Sequence, residues 1–198
     1  LFNVITGFTK PDSGEVTFKG EKITGLKPYQ IVKKGIVRTF QLVSLFSNMS
    51  VLENVCVGLY AKGRKPGEKM EREAEETLRL VGLLNQRDKI ARNLSHGDMK
   101  KLQLAIALAA EPELLLLDEL FAGLSLQEMD VLMELIKRLH DEQDLTMIVV
   151  EHVMRAVMSL SERVIVLSEG EKIAEGTPVE VAKERKVIET YLGGGDIA

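Results

Sequence analysis

The segment Leu114–Leu117 consists of four consecutive leucines and is followed directly by two acids, Asp118 and Glu119. Such a run predicts a strand buried on both faces, which is typical of a parallel sheet covered by helices. Similar short apolar runs alternate along the chain with longer stretches of helical period, so we expect an α/β fold. The two acids would then lie at the carboxyl edge of the sheet, where open parallel sheets bind ligands. Solvated acids also end many strands, so the pair alone leaves both interpretations open.

Four other segments have strand patterns. Residues Gly14–Gly20 alternate in polarity between two turn residues, which predicts a strand in a small antiparallel piece. Gly35–Phe40 predicts a second strand with Gln41 at its end, and Leu145–Val150 predicts another buried strand. Residues 163–174 predict a hairpin. Strands are therefore expected on both sides of a long middle block.

The middle block, residues 50–110, is expected to form a helical lobe within a single domain of residues 1–198. A charged amphipathic helix is predicted over residues 68–84, and a buried helix over residues 97–108. Two helix starts have serine and glutamate at the spacing of a capping box, namely Ser50 with Glu53 and Ser125 with Glu128.

Composition excludes several classes of protein. With 45% hydrophobic and 28% charged residues among 198, the chain has an ordinary globular composition. The 26 basic and 30 acidic residues give a net charge of −4, so there is no global basic field and no nucleic-acid partner is expected. Cys56 is the only cysteine, which rules out an internal disulfide and fits a reducing compartment. No apolar run reaches the roughly 18 residues that a transmembrane helix needs.

Three further polar segments could take part in phosphate chemistry. Ser95 and Gly97 open a predicted helix, and free N–H groups at a helix N-terminus bind anions, although the same residues also make a plain cap. His152 follows a predicted strand and could donate to a phosphate oxygen, although a lone histidine is more often structural. Gln41 can ligate Mg²⁺ or orient water, but a single glutamine is not specific.

The order of these segments resembles the nucleotide-binding domain of ATP-binding cassette (ABC) transporters over essentially the whole chain. In that family, Gln41 corresponds to the Q-loop, Ser95–Asp98 to the signature motif, Asp118 with Glu119 to Walker B, and His152 to the H-loop. A finer resemblance is to the ATP-binding subunits of branched-chain amino acid importers, of the type called LivG rather than LivF. It is carried by Leu1–Phe8, Arg38–Gln41, Glu151–Met154 and Val187–Gly193.

The resemblance implies a P-loop NTPase-like core of the ABC ATPase class, which uses ATP and Mg²⁺. Asp118 is expected to hold Mg²⁺ through its water shell, and Glu119 to act as the general base that polarises the attacking water. Gln41 is expected to contact both the metal and the water. His152 is expected to hydrogen-bond the γ-phosphate.

Partners follow from the same resemblance, because ABC domains work as head-to-tail pairs. Ser95 and Gly97 are expected to bind the γ-phosphate of a nucleotide held by a second ABC ATPase subunit, which in importers of this type is a different chain. Transmembrane permease subunits are expected to contact the helical lobe, with Val43–Met49 and Leu59–Tyr60 as candidates. Alternatively, these apolar residues fill the core of the lobe itself. The expected location is peripheral, at the cytoplasmic face of the plasma (inner) membrane.

The chain departs from the family pattern at several places. The phosphate-binding loop G-x-x-x-x-G-K-[ST] is absent, so we expect an N-terminally truncated chain that does not bind ATP productively by itself. The segment Ala122–Ser125 matches the D-loop, but Ser125 stands near the place of the usual aspartate. Leu120 follows Glu119 where the family usually has proline. The signature reads Ser95-His96-Gly97-Asp98-Met99 where the family generally has S-G-G-Q.

Three alternatives stay open on the sequence. The first is the ATPase of a lipid or lipopolysaccharide exporter, whose sequences look similar. The second is a non-transport ABC protein that acts as a scaffold or assembly factor. The third is a non-hydrolysing module that truly lacks the phosphate-binding loop. Copurification with a membrane protein would separate transport from a scaffold role.

Overall fold

The structure is a computed structural model that describes residues 1–39 and 45–192. The chain divides into two compact units, Leu1–Val150 and Glu151–Ala198, and each is described by itself. Gln41, the predicted Q-loop residue, lies outside the described residues. The expectation of one domain over residues 1–198 stays a prediction.

The first unit combines a parallel sheet, a small antiparallel ribbon and six α-helices among its described residues. In chain order they are α1 (Phe2–Ile5), β1 (Thr17–Phe18), β2 (Glu21–Lys22), α2 (Pro28–Lys33), β3 (Ile36–Arg38), α3 (Val51–Ala61), α4 (Glu68–Leu80), α5 (His96–Ala109), β4 (Leu114–Asp118), α6 (Leu126–Gln143) and β5 (Thr146–Val150).

The described sheet has three parallel strands in the order β3-β4-β5, with β4 in the middle. Ile36 is in register with Leu114, which is in register with Thr146. All four residues Leu114–Leu117 are buried, as the sequence predicts. The carboxyl ends of the three strands point the same way, so Arg38, Asp118 and Val150 end at one edge of the sheet.

The prediction that Leu145–Val150 is another buried strand is wrong. Leu145 is buried, but the side chains along β5 alternate between exposed and half-buried, with Ile148 and Val150 exposed. Among the described residues β5 pairs with β4 alone and is therefore an outer strand of this sheet, which explains why it lacks the two-sided cover of β4.

The antiparallel piece predicted near Gly14–Gly20 is present as β1 paired with β2. The helices of the middle block pack on one another, α3 against both α4 and α5. This close approach requires glycine at Gly58, because a Cβ atom there would lie 2.4 Å from the carbonyl oxygen of Ile106. Helix α4 ends at Leu80 rather than at Leu84, since Gly82 takes a left-handed φ of 74°.

Both predicted capping boxes are present in the structure. Ser50 Oγ accepts a hydrogen bond from the Glu53 amide at 3.1 Å, and the Glu53 carboxylate accepts one from the Ser50 amide at 2.6 Å. Ser125 and Glu128 form the same reciprocal pair at the start of α6, with Ser125 Oγ accepting from the Glu128 amide at 3.3 Å. Each box satisfies backbone groups that a helix start leaves without partners.

The second unit is small and holds the predicted hairpin. Its elements are α7 (Met154–Leu160), β6 (Val164–Ser168), β7 (Glu171–Gly176), α8 (Pro178–Val181), α9 (Arg185–Val187) and a π-helical turn (Ile188–Leu192). Strands β6 and β7 are antiparallel, with Val164 in register with Gly176. No helix in the described part of the chain is both long enough and apolar enough to cross a membrane.

Candidate functional site

The acid pair stands where β4 ends. Asp118 is the last residue of the strand, and its amide donates to Thr39 Oγ1 at 3.2 Å. Glu119 follows with a left-handed φ of 46°, while its amide still bonds to the carbonyl oxygen of Val150 at 2.9 Å. This conformation is uncommon for a non-glycine residue and is typical of a tight turn. The chain therefore turns sharply out of the sheet at Glu119.

Arg38, at the end of β3, pairs with the first of the two acids. Its Nε and Nη2 atoms lie 3.2 Å and 2.5 Å from Asp118 Oδ2, and each side chain is only 14% exposed. Parallel pairing places Arg38 beside Leu116, two residues before Asp118, so the long side chain reaches along the neighbouring strand to the carboxylate. Arg38 is not among the site residues predicted from the sequence. Its position near the end of a predicted strand, shortly before Gln41, is the sequence signal that could have identified it as a site residue.

The guanidinium of Arg38 is also held by helix α1. Its Nη1 atom donates to Asn3 Oδ1 at 2.6 Å, and its central carbon lies 5.5 Å from the centroid of the Phe2 ring. Guanidinium groups stack favourably over aromatic faces. One arginine thus joins α1, β3 and β4 at the carboxyl edge of the sheet.

The carboxylate oxygens at this edge of the sheet suit Mg²⁺ that is held together with a phosphate ligand. No group of three or more His, Cys, Asp or Glu side chains among the described residues could hold a metal ion. Mg²⁺, however, is usually bound through one or two carboxylates, with phosphate oxygens and waters completing its octahedron. Asp118 offers such a carboxylate, and the guanidinium on its Oδ2 atom shows that the position accepts a cation.

The second candidate segment is the start of α5. Ser95 is the N-cap, and its Oγ accepts a hydrogen bond from the Asp98 amide at 3.2 Å, so the predicted cap is present. The amide of Gly97 donates to Glu128 Oε1 at 3.2 Å. A cavity of about 170 Å³ lies beside this N-terminus, with Lys101 among its lining residues.

The carboxylate of Glu128 accepts hydrogen bonds from within the same chain at this helix start. Its Oε2 atom also accepts hydrogen bonds from the Ser125 amide at 2.9 Å and from Ser125 Oγ at 2.7 Å. The backbone hydrogen bond from Ser125 is the main cause that lowers the pKa of Glu128, and the bond from Gly97 adds to it. The Glu128 carboxylate therefore accepts the hydrogen bond from the Gly97 amide, which was predicted to bind a phosphate.

The segments Ser95–Asp98 and Ala122–Ser125 contact each other directly. The His96 Nε2 atom lies 3.3 Å from the carbonyl oxygen of Ala122. Gly123 has a left-handed φ of 78°, and a Cβ atom there would lie 3.0 Å from His96 Nε2. Leu120 and Phe121 are buried, so packing anchors the turn where the family usually has proline.

The predicted site residues are thus only partly brought together. Asp118 and Glu119 lie at one sheet edge with Arg38, and Ser95 and Gly97 lie at one helix start with Glu128. His152 belongs to the second unit, and Gln41 is outside the described residues. Their convergence on one triphosphate stays a prediction.

Comparison with known proteins identifies the family. Residues 1–122 match the family described as ABC transporter. The chain belongs to that family. Residues 171–197 also match the family described as branched-chain amino acid ATP-binding cassette transporter. Family membership implies nucleotide binding, and ATPase activity in an intact transporter that includes transmembrane permease components.

Relatives of this cassette cover nearly the whole chain. The high-affinity branched-chain amino acid transport ATP-binding protein LivG of Salmonella typhimurium is 38% identical over 98% of this chain and 81% of its own length. BraF of Pseudomonas aeruginosa, a transport protein of the same description, is 37% identical over the same shares. The predicted resemblance to the LivG type is confirmed.

Solved structures confirm the predicted fold class. The ADP conformation of MJ1267, an ATP-binding cassette of an ABC transporter, superposes with a TM-score of 0.88 at 31% identity, over 97% of this chain and 82% of that chain. A nucleotide-free ATP-binding cassette from an ABC transporter superposes with a TM-score of 0.84 at 30% identity, over 96% of this chain and 81% of that chain.

Proposed function

We propose that this cassette hydrolyses ATP to drive the import of branched-chain amino acids. The observation that carries the proposal is the match of residues 171–197 to the branched-chain amino acid family, beyond the segment that matches ABC transporters in general. LivG and BraF, both branched-chain amino acid transport proteins, support the same substrate class. An exporter of lipids is not favoured by these relatives.

Uptake of labelled amino acids tests the proposed substrate. Proteoliposomes containing the full-length gene product and its permease should accumulate labelled leucine only with ATP inside, and unlabelled isoleucine or valine should compete. Labelled spermidine is the comparison, because the spermidine/putrescine import protein PotA of Mesoplasma florum is 35% identical over 91% of this chain and 51% of its own length. Accumulation of spermidine without leucine would refute the substrate class.

The geometry around Asp118 and Glu119 supports the following roles. Asp118 would hold Mg²⁺ through its water shell, together with the phosphates, and a bound ion would offset the negative charge that develops on them. Glu119 orients the attacking water and accepts its proton. For Gln41 and His152 we propose the roles that the family resemblance implies, at the metal and at the γ-phosphate, and the geometry of the described residues does not bear on them. Because the motif G-x-x-x-x-G-K-[ST] is absent from the 198 residues, we predict that they do not hydrolyse ATP by themselves.

Ser95 and Gly97 bind the γ-phosphate of a nucleotide on a second ATPase subunit, which we propose is a different chain. The exposed position of Ser95 and the open cavity beside it support this role. The carboxylate of Glu128 must leave the Gly97 amide first, because phosphate and carboxylate repel each other and compete for the same donor. We propose that the two ATPase subunits lie peripherally, at the cytoplasmic face of the inner membrane.

Replacing Glu128 with glutamine should therefore strengthen the ATP-dependent pairing of subunits. Glutamine keeps the capping box but removes the negative charge from the phosphate position. We expect the dissociation constant of the ATP-bound pair to fall about threefold, which corresponds to the roughly 0.3–1 kcal/mol of a charge at a helix end. Analytical ultracentrifugation with a non-hydrolysable ATP analogue measures it.

Glu53→Gln is the matched control for this change. Glu53 makes the same capping box with Ser50, at the start of α3, and its pKa is lowered by the same kind of backbone hydrogen bond. The control should leave subunit pairing unchanged. Weaker pairing in Glu128→Gln would show that Glu128 supports the phosphate position instead of competing for it.

A further inference from the structure

Arg38 places a positive charge on the carboxylate that the proposed function assigns to a metal ion. Its Nε and Nη2 atoms both contact the same oxygen, Asp118 Oδ2. A guanidinium and a divalent cation repel each other, so they cannot share that oxygen at contact distance. A metal ion held at Asp118, directly or through its water shell, therefore competes with the arginine for this carboxylate.

The pair is built into the fold rather than formed by chance on the surface. Arg38 and Asp118 come from adjacent strands in fixed register, and each side chain is 14% exposed. Removing one partner from such a shielded pair leaves an uncompensated charge, which is unfavourable. With no metal present, Arg38 thus supplies the charge that Asp118 requires.

Two further contacts of Arg38 do not involve Asp118. Asn3 Oδ1 accepts from Nη1, and the Phe2 ring lies under the guanidinium. Both partners belong to α1. This helix is held against the sheet because Phe2 packs in the buried cluster with Ile36 and Leu116. These contacts can retain the guanidinium when Asp118 is taken by another cation.

We propose that Arg38 is a positioning residue that occupies Asp118 in the empty site and is displaced when Mg²⁺ enters with the nucleotide. The inference rests on the proposed function, because it takes Asp118 as the metal carboxylate. Its consequence is an exchange of cations on one carboxylate. The metal binds to Asp118 with an apparent affinity reduced by the fraction of molecules in which the arginine is in place.

Manganese binding to the full-length gene product tests the exchange. Mn²⁺ replaces Mg²⁺, and the free ion is measured by its electron paramagnetic resonance signal in matched titrations of a non-hydrolysable ATP analogue with and without protein, because the analogue itself binds the metal. If the arginine occupies Asp118 in roughly nine of ten molecules, Arg38→Gln should lower the apparent dissociation constant for Mn²⁺ about tenfold. Arg38→Lys keeps the charge but loses the two-pronged contact, and should lower it about threefold.

Arg64→Gln is the control for the loss of a paired arginine. Arg64 lies in the loop between α3 and α4 and contacts Glu73 at 2.8 Å and Glu111 at 2.6 Å. It contributes to no part of the proposed site, so Mn²⁺ binding should stay at the wild-type value. Circular dichroism checks that each variant is folded, and Arg38→Lys carries the test if Arg38→Gln does not fold.

The outcomes separate the inference from the function on which it rests. A lower dissociation constant in the Arg38 variants, with Arg64→Gln unchanged, supports the exchange. An unchanged or higher constant in folded Arg38 variants, while the wild type binds the metal with the analogue, overturns the exchange and leaves the proposed function standing. If the wild type forms no complex with metal and analogue, the proposed function fails and the exchange fails with it.

Discussion

Glu119→Gln is expected to lower ATP hydrolysis by the full-length gene product roughly 10²–10⁴-fold, the usual contribution of a general base. Glutamine has nearly the same shape as glutamate and can still hydrogen-bond the attacking water, but it cannot accept a proton at neutral pH. Nucleotide binding depends on other residues in the proposed mechanism. ATP should therefore be bound but not hydrolysed, and ATP-bound pairs of subunits should accumulate. Phosphate release and gel filtration in the presence of ATP measure the two effects.

Glu169→Gln is a matched control for that substitution. Glu169 lies in the turn between β6 and β7 and has a left-handed φ of 50°, close to the 46° of Glu119. The same chemical change in the same backbone conformation should leave hydrolysis unaltered. Full turnover in Glu119→Gln would show that another group is the base, and loss of ATP binding would show that Glu119 acts in binding instead of catalysis.

Phe46→Asp is expected to weaken assembly with the permease about 30-fold or more, the effect of a residue that contributes at least 2 kcal/mol to an interface. The Phe46 side chain is 50% exposed, yet its backbone is fixed by the fully buried Asn54. The Phe46 amide donates to Asn54 Oδ1 at 2.9 Å, and its carbonyl oxygen accepts from Asn54 Nδ2 at 3.1 Å. An aromatic ring held in this way loses little further freedom on binding.

Titration of the detergent-solubilised permease with the labelled cassette measures the change. Tyr29→Asp is the control, because Tyr29 is an exposed aromatic residue on α2, outside the helical lobe. It should bind the permease as the wild type does, and the ATPase activity of the separate cassette should be the same in both variants. Wild-type affinity in Phe46→Asp would place the permease contact elsewhere.

The structure also divides the permease contacts that the sequence analysis proposed. Leu59 is buried in the helical lobe, so the alternative interpretation is right for this residue. Phe46 and Tyr60 are exposed and stay candidates for the contact. Val43 and Ser44 lie outside the described residues. Neighbours such as Leu59 and Tyr60 point to different sides of one helix. Which of the two sides faces the core depends on how the helices pack, and the sequence alone did not show this.

Features that depend on residues close together in the chain could be predicted from the sequence. The capping boxes of α3 and α6 join residues three positions apart, and both are present. The leucine run of β4 predicts its own burial, because its period leaves no polar face. The Ser95 cap at α5 belongs to the same class.

Features that depend on tertiary contacts could not be predicted in this way. Arg38 meets Asp118 across 80 positions of sequence, and only the pairing of β3 with β4 brings them together. Glu128 could be recognised as a capping residue of α6, but its bond to Gly97 needs α5 and α6 to pack. The exposure of β5 likewise depends on which strands flank it, which periodicity does not reveal.

A structure of the full-length Glu119→Gln assembly with ATP and Mn²⁺ tests the central claim most directly. The account predicts one triphosphate whose metal, located by its anomalous scattering, is coordinated from Asp118, with Gln41 and His152 at the same nucleotide and Gly97 of the opposite subunit at its γ-phosphate. A metal away from Asp118, or Gln41 and His152 on surfaces that do not face the nucleotide, would contradict it.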